Sequence, residues 1–167
     1  MTITAPVSLT KIKTEFGGPN NLSAYVRGGS YVPNTAANAN VSATVAGLAI
    51  SQFLGATNYV NVSASVSPTS ISHTGTGTTA SGPSGSSGTV TASGSGGSGS
   101  YTFSWSRVSG DTNTAISSAT VAAVTFSRTG CVDGTNYVST WRCLVSDGTT
   151  SAFTPNVTVT LSYTRTA

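Results

Sequence analysis

Charge is what this chain has least of. Among its 167 residues, seven are Lys or Arg and four are Asp or Glu, for a formal net charge of +3. The basic residues are scattered. A phosphate backbone demands clustered charge, so nucleic acid is not an expected partner. Histidine occurs once, at His73, and the carboxylates are Glu15, Asp111, Asp133 and Asp147. An active site needs acid, base or metal-ligating groups that converge, and this inventory leaves little to converge. Asp111, Asp133 and Asp147 stand at turns, where an Asp side chain bonds nearby backbone N–H groups. Calcium at such turns needs several converging oxygens, and no D-x-D pair is present. The expectation is a protein that is not an enzyme and carries no metal or cofactor. "GSGGSG" (Gly94 to Gly99) has the spacing of a dinucleotide loop, but a strand pattern follows it instead of the required helix.

Long apolar runs are missing too. None approaches the roughly 20 residues that cross a bilayer. The opening "MTITAPVSLT" has neither a basic n-region nor an apolar h-region, so the expectation is no secretory signal and no membrane association, with synthesis and assembly inside a cell. The sequons at Asn21, Asn40, Asn61 and Asn156 are then chance in a chain so rich in hydroxyls. The two cysteines, Cys131 and Cys143, lie too far apart for a C-x-x-C site. In a reducing cytosol they are free thiols acting as small hydrophobes; oxidation after release leaves a disulfide open.

What is abundant is Ser and Thr, 57 residues in all. Thr and Val suit a pleated, half-buried surface, and helix formers are scarce, which favours an all-β protein. From Asn58 onward the pattern alternates. Val60, Val62, Ala64 and Val66 share a face, as do Tyr101, Phe103 and Trp105; Val124 and Phe126; Trp141, Cys143 and Val145; and Val157, Val159, Leu161 and Tyr163. "TVTAS" (Thr89 to Ser93) is a further strand and Ile116 marks a weak one. "HTGTGTTASGPSGSSG" (His73 to Gly88) is low-complexity and reads as a long, mobile loop between strands. Asp133-Gly134 and Asp147-Gly148 are turn pairs. About seven short strands spaced by 8–12 residues predict an antiparallel sandwich. The order resembles immunoglobulin-like modules of bacteria and phages. Trp105 stands in the place of strand C, and "WRCLVSDG" in that of strand F. Trp141 occupies the position where a tyrosine corner is often found, and Val90 or Ala92 replaces the partner cysteine of antibody domains. The phases of Trp105 and Trp141 point both inward, which favours core packing over a sugar-stacking platform.

The first third is built differently. "SLTKIKTEF" can open with Ser8 as N-cap and place Leu9, Ile12 and Phe16 on one side, ended by Gly17-Gly18-Pro19. "NLSAYV" offers a single turn from Asn21, and "LAISQFLGA" a third short piece. Turns this short are marginal without packing support, and a unit of this size buries little surface. The expectation is a module completed by another surface. The segment "LTKIKTEFGGPNNLSAYVRGGSYVP", followed by "GLAISQFLGA", resembles the N-terminal segment of many tailed-phage virion proteins, which often continue into Gly-rich or Ig-like modules. "VSATVAG" and "SQFLGA" depart from the usual pattern.

That resemblance implies a bacteriophage virion component assembled in the bacterial cytoplasm, tail- or tail-fibre-associated. It implies an attachment module at 1–58 and an Ig-like sandwich at 59–167. Other virion proteins are the expected partners, with homo-oligomerisation. The expected contact set is Ile12, Phe16, Gly17, Gly18, Leu22, Tyr25, Arg27, Gly28, Gly29, Tyr31, Phe53 and Gly55. Phe16, Tyr25 and Phe53 would be anchors that dock into the partner. A capsid-decorating protein, or a module contacting host-surface glycans, are the other expectations.

Overall fold

The computed structural model describes residues 2–58 and 60–167. Met1 and Tyr59, with which the two expected domains begin, lie outside the described residues. The chain divides into two compact units, Met1–Val60 and Asn61–Ala167.

The N-terminal unit holds one α-helix, α1 (Leu9–Phe16), and four single 3₁₀ turns, Leu22–Ala24, Ala36–Asn38, Val45–Gly47 and Ile50–Phe53. Ser8 caps α1 by accepting from Lys11 N–H (3.3 Å), and Gly17 ends it at φ +71°. Ile12 and Phe16 recur at helical spacing and face inward. Asn21 caps the first 3₁₀ turn by accepting from Ser23 N–H.

The second unit is all β. In chain order the strands are β1 (Ser63–Ser67), β2 (Ser70–Gly77), β3 (Ser81–Gly82), β4 (Val90–Ser95), β5 (Thr102–Gly110), β6 (Ala115–Ile116), β7 (Ala123–Val124), β8 (Phe126–Ser127), β9 (Cys131–Val132), β10 (Tyr137–Ser146), β11 (Ser151–Phe153) and β12 (Val157–Arg165). β1, β4 and β7 make an antiparallel sheet. The larger sheet is mixed: β10 pairs antiparallel with β5, β11 and β12, and β12 pairs in parallel with β2. Both sheets feed one core. Val90, Ala92 and Val124 from the smaller meet Trp105, Trp141, Cys143, Val145, Val157, Val159 and Leu161 from the larger. Phe126 lies between the tryptophans, its ring 6.4 Å from Trp105 and 5.2 Å from Trp141. Each indole N–H is satisfied, by the Val121 carbonyl (2.9 Å) and the Ser139 hydroxyl (3.0 Å). Both cysteines are buried free thiols.

The alternation from Val124 to Tyr163 is therefore inward as expected, while three other expectations are corrected. The inward series of the first strand starts at Val62, because Val60 precedes β1 and is exposed. Trp141 spends its indole N–H on its own strand and makes no corner. The backbone-to-phenol contact is made by Tyr137, whose oxygen accepts from Val132 N–H (3.1 Å).

The largest departure is the supposed mobile loop. Ser70–Gly77 runs alongside β12 through eight register pairs, from Ser70↔Thr158 to Gly77↔Arg165. Glycine is required here by packing. A Cβ at Gly75 would run into the Pro83 carbonyl, and one at Gly77 into the Tyr163 hydroxyl. The serines beyond act as a zipper. Ser84 and Ser87 are buried, and each exchanges bonds with the segment opposite, at and just after β8. Ser84 N–H donates to Arg128 O while its hydroxyl accepts from Arg128 N–H (3.0 Å). Ser87 does the same with Phe126 (2.8 Å and 2.9 Å). A composition that resembles a linker is here a set of close contacts and buried hydroxyl bridges.

Candidate functional site: the N-terminal unit

The expected contact residues fall into three groups. Ile12, Phe16, Tyr25 and Phe53 are buried, with Ile12, Tyr25 and Phe53 fully so. Leu22, Arg27 and Tyr31 are half-buried, and Gly17, Gly18, Gly28, Gly29 and Gly55 are exposed. The anchor expectation is thereby corrected. Phe16 and Tyr25 pack edge-on against Phe53 (6.2 Å and 6.5 Å between centroids) inside the unit's own core, alongside Ile3, Val32, Val41 and Ala56. Rings already sequestered have no surface left to give a partner.

The glycines and polar residues of the motif serve the same core. The Tyr25 hydroxyl reaches the Gly17 and Pro19 carbonyls (2.6 Å and 2.7 Å), which ties the loop after α1 to the centre of the unit. Burial, then the nearby Tyr31, pushes the Tyr25 phenol above its ordinary value. Tyr31 lies flat over Gly18 at φ +88°, where a Cβ would sit 2.7 Å from the ring. Glu15 is 6% exposed, and its carboxylate accepts from the Thr57 hydroxyl (3.1 Å) and Asn58 N–H (3.2 Å). Asn38, fully buried, donates to Pro33 O and Thr57 O and accepts from Thr57 N–H (2.9 Å, 2.8 Å and 2.9 Å). Two residues from distant parts of the segment thus clasp Thr57. The expectation of a module that cannot close on itself is also corrected: eight buried apolar side chains and these polar clasps close it internally.

Sequence reasoning missed what this unit does expose. Val45, Ile50 and Leu54 are 58%, 39% and 54% accessible, within one short segment. Gln52 holds that segment in shape, accepting from Ser42 and Ala49 N–H and donating to Gly47 O. The available signal was "VAGLAISQFL", whose apolar residues outnumber what one side of a 3₁₀ turn can bury. A cavity of about 150 Å³ lies beside α1, lined by Thr2, Ile3, Thr4, Thr10, Lys11, Thr14 and Glu15. Lys11 Nζ is spent on Thr4 O (3.1 Å), and Glu15 on Thr57 and Asn58.

The carboxylates of the second unit are structural. Asp147 accepts from Ser98, Thr149 and Thr150 N–H, and Asp133 from Arg165 N–H. Asp111 accepts from Arg128 Nε (3.0 Å) and the Thr114 hydroxyl (2.8 Å). Burial would raise its pKa, but the bonds from Thr114 and Arg128 and the Arg128 charge outweigh burial and hold it below the usual carboxylate range. Burial also costs the Arg128 guanidinium, but its bonds to Asp111 and Cys131 and the Asp111 charge raise its pKa overall. That guanidinium stacks 3.5 Å from the Tyr137 ring and donates to the Thr129 and Gly130 carbonyls. Among the described residues, no group of three His, Cys, Asp or Glu could hold a metal ion.

No protein-family model matches the chain, and no curated protein is measurably similar to it. One solved structure is distantly similar, a nucleoside hydrolase-related hypothetical protein from Saccharophagus degradans, described as associated with carbohydrate metabolism. The identity is 13% and the TM-score 0.40; the likeness covers 67% of this chain and 28% of that one, and at that level it carries no argument about fold or function.

Proposed function

We propose that this chain is a structural component of a bacteriophage virion, tail-associated, whose N-terminal unit attaches it and whose second unit is a displayed immunoglobulin-like sandwich. Two sheets sharing one core, with an early strand parallel to the last, support the sandwich reading. The engagement of all four carboxylates in backbone and clasp contacts supports an assembly role over catalysis. The observation that carries the attachment reading is the exposed trio Val45, Ile50 and Leu54 on a segment braced by Gln52. Apolar side chains held in a fixed shape at a surface suit burial against another virion protein or a second copy.

The trio replaces Phe16, Tyr25 and Phe53 as the contact surface. Changing Val45, Ile50 and Leu54 together to Ser is expected to abolish co-sedimentation of the protein with particles while both units melt as in wild type. Unchanged incorporation would overturn the assignment.

A further inference from the structure

The outward face of the large sheet has an unusual composition. The register fixes which side chains share it: Arg142 pairs with Ser106, Leu144 with Ser104 and Phe153, Thr140 with Thr158, and Val138 with Thr160. On β2 and β12 every outward side chain, from Ser70 to Thr76 and from Thr158 to Thr164, is Ser or Thr. The Thr74 and Ser162 hydroxyls bond to each other across the strands (2.8 Å). Hydroxyls therefore repeat about every 4.8 Å between strands and roughly every 6.8 Å along them. Among the described residues, Arg142 is the one charged residue that the register places on this face. Its guanidinium stacks 3.8 Å from the centroid of the Phe153 ring, which is 48% exposed. Its Nε is buried with no hydrogen-bond partner among the described residues.

We infer that this face is a binding site for an acidic polysaccharide, with Arg142 taking a sugar carboxylate, Phe153 packing on a ring face and the Ser/Thr rows meeting sugar hydroxyls. A guanidinium presents a planar fork of donors that matches a carboxylate. A surface dominated by hydroxyls, with few aromatic or apolar residues, is unlike the centre of a protein–protein interface. It suits a hydroxyl-rich polymer instead. The inference deepens the displayed role proposed above and rests on it only for its biological setting; the binding is a property of the chain in solution.

The test is affinity electrophoresis of the full chain in gels containing polygalacturonate, neutral dextran or single-stranded DNA. Polygalacturonate should retard the wild-type chain, less so as salt is raised, and dextran should not. Arg142→Gln and, separately, Phe153→Ser should each weaken that retardation about tenfold in apparent Kd. Phe153→Ser leaves the net charge unchanged, so its loss separates this site from general attraction to a basic protein. Tryptophan-fluorescence melts should show both variants folded, since both side chains reach the surface. No retardation by polygalacturonate, equal retardation by dextran, stronger retardation by DNA, or wild-type binding in both variants would each overturn the site. All four leave the virion assignment standing, because particle incorporation is measured independently.

Discussion

Phe53→Ala separates a core ring from a docking ring. Phe53 is fully buried, with Phe16 and Tyr25 edge-on against it at 6.2 Å and 6.5 Å. Removing a ring from such a site costs about 3–5 kcal/mol, through lost transfer energy and the cavity left behind. A unit of this size holds about 3–9 kcal/mol in total, so the substitution takes a large share of its stability or all of it. At roughly 4–8 °C per kcal/mol for a domain of this size, its melting temperature should fall by about 12–40 °C or its transition should vanish. Both tryptophans, Trp105 and Trp141, belong to the other unit. Tryptophan fluorescence therefore follows that unit alone, and should be unchanged, while calorimetry of the full chain registers the loss. A shift smaller than about 3 °C in the N-terminal transition would mean that Phe53 is not a core residue, and would restore the docking role.

How far the sequence could be read depended on whether a position's partner was near it in the chain. The strands from Thr102 onward were legible because alternation is a local signal that burial enforces: a slip of one residue would turn Trp141, Cys143 and Val145 to solvent. Ser8 and Gly17 marked the ends of α1 for the same reason, since capping is decided within one turn. The Ser84 and Ser87 bridges were not legible. A serine bonded to a strand more than thirty residues away has the same local context as one in a flexible linker. Nor did anything local distinguish Phe16, Tyr25 and Phe53 as core from the same rings as anchors. That difference lies in Asn38 and Glu15 clasping Thr57 from positions 19 and 42 residues away. A motif dense in aromatic and glycine residues marks close packing; whether the packing is within one chain or between two is settled by contacts far apart in sequence.

Two further predictions test the contacts that were hidden from the sequence. Ser84→Ala with Ser87→Ala strips the acceptors from the Arg128 and Phe126 N–H groups. It should cost about 1–3 kcal/mol per site and raise hydrogen exchange at both amides; unchanged protection would mean that water replaces the serines. Asp111→Ala leaves the Arg128 guanidinium, whose side chain is 9% exposed, without its counter-ion and should destabilise the second unit by about 3 kcal/mol at neutral pH. The Asp111 carboxyl titrates below its ordinary value in the folded protein, so its contribution is complete above the unfolded value, about 3.9, and is lost as pH falls through the folded one. The gap between wild type and variant in urea denaturation followed by tryptophan fluorescence should therefore hold steady at pH 5 and above and close below about pH 4. A gap that stays constant into strong acid would show that the ionised carboxylate is not what holds Arg128 in place.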